Sequence, residues 1–408
     1  MSVKRILLLR RRLDAMLLGA GIFGLTLLVS VAKAAFLFFA ACGIYLAVFR
    51  PKTWRGMPRA FIGALVAWAI WQIALSLARG EPLSGNRTLS YAALEFACAL
   101  LPLGLGLVRR PAQMLALGAR LALLALLVLT PIEYWRTGMR VGLGGNEAIF
   151  AFVVGVAALL ARIPTGNAFR FLPDGIAWTY LGVVPIILSG TRAAMLLFVV
   201  TALVDAARLL PRIRASGRRR AGMVVGGLVL VSVAAVPLIS FVGARIETGV
   251  AEMNAYEESG LASGSVDVRL AMWSSAVAVL AERPFVGVGG MSRMEEVGRL
   301  AGPNAGAVLR YQHLHNLVLD EALSSGLIGL ALMLSVFGLF LVDVSRRCAS
   351  RIVRDVSTVL VVYVFVFGLF HGVLLNEWML LAIFGSMATI LTELRRPRPF
   401  GLPGLSSR

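Results

Sequence analysis

Residues 322–342 read ALSSGLIGLALMLSVFGLFLV, 21 positions without one charged side chain. A run of that length and polarity matches the roughly 20 residues an α-helix needs to cross a bilayer. In lipid every backbone N–H and C=O must find a partner within its own segment, so such a run spans as a helix. The same reading extends outward to about twelve runs: 14–32, 34–49, 60–78, 90–108, 113–131, 145–161, 175–190, 193–207, 222–242, 322–342, 356–374 and 377–394. None alternates as a membrane β-strand would. The pattern predicts an all-α polytopic membrane protein.

Composition agrees. Of 408 residues 59% are hydrophobic and only 15% charged, with a mean hydropathy of +0.84. A soluble domain carries about 25% charged residues. A soluble enzyme, a disordered chain and a disulfide-rich secreted domain are excluded. Of the three cysteines, Cys42 and Cys98 lie in apolar runs and Cys348 in a basic loop, so they suggest neither a disulfide framework nor a metal cluster. Ala32-Lys33-Ala34 resembles a signal-peptidase site, but the apolar run before it is long for a signal and another follows at once. An uncleaved first helix is expected.

The formal charge is +19. In a soluble protein this would point to nucleic acid; here the basic loops of a membrane protein account for it, and no nucleic-acid partner is expected. One alternating set of gaps (1–13, 50–59, 109–112, 162–174, 208–221, 343–355 and 395–408) carries 27 Lys and Arg. The other carries 12, with Arg120 inside a span. Lys and Arg accumulate in short cytoplasmic loops, so both termini are expected to be cytoplasmic and the long polar segment 243–321 periplasmic. The expected divisions are spans one to nine over 1–242, a periplasmic loop domain over 243–321, three further spans over 322–394 and a cytoplasmic tail over 395–408. All three histidines, His313, His315 and His371, fall on the outer side.

Four outer features carry candidate chemistry. Ser189-Gly190-Thr191-Arg192 is a tight turn between two spans. Arg192 either snorkels to headgroups or joins free helical N–H groups in an anion site. From Ser265 to Arg283, Val266, Leu270, Trp273, Val277 and Leu280 mark one face of an amphipathic helix that Ser265 or Asp267 would cap. Arg269 lies one turn before Trp273, as a solvated charge or a second cation aimed into a cavity. Arg283-Pro284-Phe285-Val286-Gly287-Val288-Gly289-Gly290 has glycines for tight turns or close approach to a ligand. Tyr311-Gln312-His313-Leu314-His315-Asn316 precedes an apolar helix. Its histidines could be metal ligands, a packed pair or a general acid/base. His371 reads as a structural or supporting residue. No D-x-D, P-loop, G-x-S-x-G or H-E-x-x-H pattern stands on this face, so no metal or cofactor is expected and arginines remain to bind an anion.

In this order, S-G-T-R, R-x-x-x-W, R-P-F-x-G-x-G and H-N-x-x-L resemble the O-antigen ligase and polymerase superfamily of bacterial envelope glycosyltransferases. The resemblance covers about residues 185–330 by motif and the chain by topology. It implies a metal-independent, GT-C-like enzyme of the inner membrane whose donor is a glycan on undecaprenyl pyrophosphate. Ligase members, the branch favoured here, transfer it to the lipid A–core of lipopolysaccharide; polymerases and pilin ligases share much of the pattern. Carried onto this chain, Arg192 and Arg269 would hold the diphosphate and His315 would be the base, with His313 left open. Tyr311, Asn316, Arg283 and Gly289 are further substrate-binding candidates. The rival class is a transporter of a lipid-linked glycan, for which Glu95 and Arg120 within spans would form an ion pair.

Overall fold

The structure is a computed structural model and describes residues 3–166, 171–214, 261–262 and 264–395. The ninth apolar run, 222–242, and the first part of the polar segment, 243–260, lie outside the described residues. The remaining runs form helices. In chain order these are α1 (Val3–Leu27), α2 (Val29–Phe49), α3 (Arg59–Ala78), α4 (Arg87–Leu105), α5 (Pro111–Thr137), α6 (Glu147–Leu160), α7 (Ala177–Leu181), α8 (Val183–Ser189) and α9 (Arg192–Arg214). There follow α10 (Ser265–Glu282), α11 (Arg293–Leu300), α12 (Ala305–Val308), α13 (Leu317–Arg347), α14 (Arg351–Gly368) and α15 (Glu377–Glu393). No strand occurs among the described residues. Among the described residues five helices, α2 to α5 and α13, are long and apolar enough to cross a membrane.

Two boundaries differ from the sequence reading. The first helix ends at Leu27, because Leu28 leaves helical geometry (φ −144°, ψ 77°) and starts α2. The run 175–190 forms two short helices that meet at Gly182 rather than one span.

The core is a bundle in which α2 packs on α4, α1 on α5, α3 on α4 and α13, and α15 on α4. Among lipid tails there is no hydrophobic drive to bring helices together, so small residues that admit close approach matter. At Gly104 a Cβ would run into the carbonyl of Phe39, and at Gly43 into that of Leu100, so these two glycines set the α2–α4 contact. A second, smaller core of Val268, Met272, Ala276, Val279, Val297, Val308 and Leu314 lies under α10 to α12, outside the bundle.

Buried ionisable groups find local partners, and not those the sequence suggested. Arg120, fully buried, pairs with Asp174 Oδ1 at 2.9 Å, donates to the carbonyls of Ala161, Ile163 and Leu172, and lies over the Trp178 ring. Glu95 accepts from Gln72 Nε2 at 2.9 Å. The expected Glu95–Arg120 pair does not exist: Arg120 pairs with Asp174, and Glu95 accepts from Gln72.

α13 breaks inside its run. Gly326 takes φ 73° and ψ −178°, which frees the Leu323 carbonyl and the Leu327 amide from the helical ladder. The segment after α10 takes both: Val288 and Gly289 donate to Leu323 O at 2.7 and 3.3 Å, and Leu327 N donates to Pro284 O at 2.8 Å. The R-P-F-x-G-x-G segment is thus docked backbone to backbone on the break.

Candidate active site

Four helices begin with asparagine at one end of the bundle. The side-chain oxygen of Asn86 accepts from the amides of Thr88 and Leu89, Asn146 from Ala148 and Ile149, Asn316 from Val318 and Leu319, and Asn376 from Trp378 and Met379. Capping satisfies part of the orphan donor set, while the positive ends of the helix dipoles remain. A cavity of about 610 Å³ lies where these four ends meet. Its wall includes Arg87 at the start of α4, Asn146 and Ala148 at α6, His315 just before α13, and Asn376 at α15. Arg293, His313 and His371 line it too, and none of the lining residues among those described is acidic.

The histidines form one cluster. The ring centroids of His313 and His315 are 4.2 Å apart and those of His315 and His371 6.0 Å, although His371 is 56 positions further along the chain. His371 stacks on Phe367, and the Tyr311 ring meets His315 edge-on. His315 has φ 53°, a left-handed conformation unusual for a residue with a side chain. Its Nδ1 lies 3.1 Å from Phe370 O. A carbonyl oxygen has no proton to give, so Nδ1 carries the hydrogen and Nε2 keeps its lone pair.

The loop holding His313 and His315 is fixed from three sides. Trp273 Nε1 donates to Leu314 O at 2.8 Å, tying α10 to the loop. Leu314 N donates to Asp320 Oδ1 at 3.0 Å, and Arg293 Nε pairs with the same oxygen at 3.3 Å. Arg293 also donates to Gly290 O at 2.7 Å and Gln312 O at 3.1 Å, and Arg87 reaches Gln312 Oε1 at 3.2 Å.

This setting opposes protonation. Burial, then Arg293 and Arg269, push the His313 pKa down to about 4. Burial, His313 and Arg269 do the same for His315, against weaker opposing effects of Phe370 O and Asp320. His371 falls to about 4 through burial, His315, Arg269, His313 and Arg140. Desolvation and like charge both disfavour a cation, so all three imidazoles are neutral at neutral pH.

Arg269 is therefore brought within electrostatic reach of the three rings, half-buried on α10 one turn before Trp273. The helix is capped through Asp267, whose Oδ2 accepts from Gly264 N at 3.1 Å. Arg192 opens α9 with an exposed side chain. Its turn is held by Arg140, which donates to Ser189 O at 2.8 Å and approaches Thr191 Oγ1 at 3.4 Å. Thr191 Oγ1 donates to Glu147 O at 3.3 Å, anchoring the turn to the α6 end that lines the cavity. Tyr311 touches His315 without lining the cavity, and the Asn316 amide oxygen is engaged in its cap. Arg283 is exposed at the end of α10, and Gly289 packs beside Arg79 and Glu81; the neighbouring Gly290 is the glycine that reaches the cavity.

Residues 177–334 match the family model described as O-antigen ligase. This segment belongs to the O-antigen ligase superfamily. It contains Arg192, Arg269, Arg293, His313 and His315 and ends within α13, while the Arg87, Asn146 and His371 walls of the cavity come from outside it. No curated protein matches the chain.

The sequence reading missed Arg87, Arg140 and Arg293, and it gave His371 only a supporting place. One signal was available: Asn86, Asn146, Asn316 and Asn376 each stand just before an apolar helix, and the alternation of spans puts all four on one side.

Proposed function

We propose that the chain is a metal-independent, inverting glycosyltransferase. In this reading it takes a glycan from undecaprenyl pyrophosphate and transfers it to a hydroxyl of the lipid A–core on the periplasmic face. Superfamily membership supports a glycosyltransferase of the bacterial envelope acting on a lipid-linked glycan in a membrane. The observation that carries the finer reading is the convergence of four helix N-termini and the cationic Arg87 and Arg293 on a cavity walled by neutral histidines. Oriented N–H groups and guanidinium suit a leaving diphosphate. Neutral imidazole suits the removal of a hydroxyl proton.

The step balances as a single displacement. The acceptor oxygen attacks the anomeric carbon, the bond from that carbon to the pyrophosphate oxygen breaks, and the proton of the acceptor hydroxyl passes to Nε2 of His315. The pyrophosphate leaves as an anion met at the cavity wall by Arg87 and Arg293; Arg269 and Arg192, to which the family resemblance gives the diphosphate, stand outside the cavity lining, Arg269 within electrostatic reach of the histidines. Attack opposite the leaving group inverts the anomeric configuration. The periplasmic assignment is supported by the basic residues Lys52, Arg55 and Arg395, which surround the far ends of α4 and α15. The test is reconstitution: purified protein in detergent with an undecaprenyl-pyrophosphate glycan and a lipid A–core acceptor. Product of inverted configuration, formed equally with EDTA, is expected. Loss of product on chelation that magnesium restores would overturn the metal-independent reading. Elongation of the donor glycan in place of transfer to lipid A–core would move the chain to the polymerase branch.

A further inference from the structure

α4 and α15 each end the histidine cavity with their N-termini, and their C-termini reach a second concavity. The 19 residues of α4 span about 28 Å, so the two lie a bilayer's hydrocarbon thickness apart. The second concavity, about 440 Å³, is walled by Lys52, Thr53 and Arg55 after α2, by Gly106 and Leu107 after α4, and by Arg395 after α15. Arg395 reaches across it, donating to Pro102 O and Thr53 O at 3.3 Å each. Through Leu46 and Leu107 it shares a wall with a groove of about 540 Å³ along α2. Phe38, Ala41, Cys42 and Tyr45 form the apolar side of that groove, and Arg10 and Arg50 flank it.

We propose that this bowl and groove form a binding site for an anionic phospholipid, independent of the glycan reaction. Orientation of the chain needs basic residues near this surface but not a concavity that gathers them. Here five cations border two joined hollows, no acidic residue among those described lines either, and the second hollow runs along the outward side of a membrane-spanning helix. Arg10 also lies near Asp14, at 3.9 Å, so it contributes less than the others. A phosphodiester headgroup fits the bowl between Lys52 and Arg55, and an acyl chain fits the groove past Tyr45 and Cys42. Free phosphate would have no use for the groove, and a zwitterionic lipid would bring its own cation beside these residues.

Cys42 is the built-in reporter, because it is partly accessible in the groove while Cys98 and Cys348 are buried. The experiment measures maleimide labelling of Cys42 in the full-length protein in mild detergent as dioleoyl phosphatidylglycerol is added. Dioleoyl phosphatidylcholine and inorganic phosphate serve as comparisons. Saturable protection by phosphatidylglycerol alone is expected. Each basic residue near a membrane surface is worth about fivefold in affinity for anionic lipid. The Lys52→Gln/Arg55→Gln variant should therefore need roughly 30-fold more lipid for half protection. Ala41→Trp, which fills the groove, should abolish retention of phosphatidylglycerol in native mass spectrometry, a readout separate from Cys42. Equal protection by phosphatidylcholine would reduce the site to ordinary lipid contact. Protection by phosphate would make it a free-anion site, and unchanged protection in the double variant would remove Lys52 and Arg55 from it. Each of these three results overturns the proposal.

Discussion

The depressed pKa of His315 fixes where transfer should fail in acid. An ordinary histidine with pKa 6.5 is only about 9% neutral at about pH 5.5, against about 91% at about pH 7.5. A base working at that value would lose about tenfold in rate over the interval. With the pKa pushed down to about 4 by burial, His313 and Arg269, the ring stays about 97% neutral at about pH 5.5, and almost nothing is lost. The free protein governs kcat/KM, so its acid limb should lie near pH 4. Donor binding brings a diphosphate anion beside the cluster, which favours the imidazolium; the limb of kcat should lie higher than that of kcat/KM. Arg269→Gln removes one of the cations that hold the pKa down, so it should move the kcat/KM limb upward as well as lowering the rate. The assay is initial-rate transfer with a reconstituted donor and acceptor between about pH 4 and 8, read for the position of the limb and not its height. A kcat/KM limb near 6.5, or a limb unmoved by Arg269→Gln, would refute the argument.

The same lowered values act on stability. Because the buried rings resist a proton that the unfolded chain accepts, folding stability should be intact above about pH 6.5 and fall as pH drops toward about 4, as thermal melts across that range will show. His315→Gly and His315→Ala should both lose transfer, but the Gly variant should be the more stable. Ala keeps a left-handed strain of about 1–2 kcal/mol, and the extra unfolded-state entropy of Gly offsets about 0.5–1 kcal/mol of the relief. Equal melting of the two would argue against the left-handed conformation. Gly326→Ala should destabilise by about 2 kcal/mol or more, since its Cβ meets the Phe285 carbonyl as well as the strain of φ 73°; wild-type stability in detergent melts would mean that the loop is not docked on the break.

Much of this was legible in one dimension because its causes are local. An apolar run in lipid has no alternative to a helix, so the bundle followed from hydropathy. Trp273 and Arg269 sit one turn apart on the same amphipathic helix, which is why the R-x-x-x-W spacing already placed a cation near whatever the tryptophan touches. Asn316 caps its helix because of its position in sequence, and His315 precedes it. What stayed hidden depends on contacts between distant segments. Arg293 looks like any charge at the start of a short helix until Asp320, Gln312 and Gly290 are seen around it. His371 reads as a turn residue until the chain folds it against His315. Arg120 pointed to Glu95 on composition, whereas the fold offered it Asp174 and three carbonyls. The glycines of the R-P-F-x-G-x-G segment suggested a ligand, whereas Gly287 closely approaches the backbone of α13 and Gly289 the side chains of Arg79 and Glu81.

The central claim is that His315 Nε2 takes the acceptor proton in a cavity that holds the departing diphosphate. Its most direct test is in-vitro transfer by His315→Ala and His313→Ala at matched expression, beside a measurement of donor binding. General base catalysis is commonly worth about 10²–10⁴ in rate. The account predicts that His315→Ala binds the lipid-linked donor as the unaltered protein does and loses transfer by that factor, with His313→Ala milder. Full transfer by His315→Ala would contradict it.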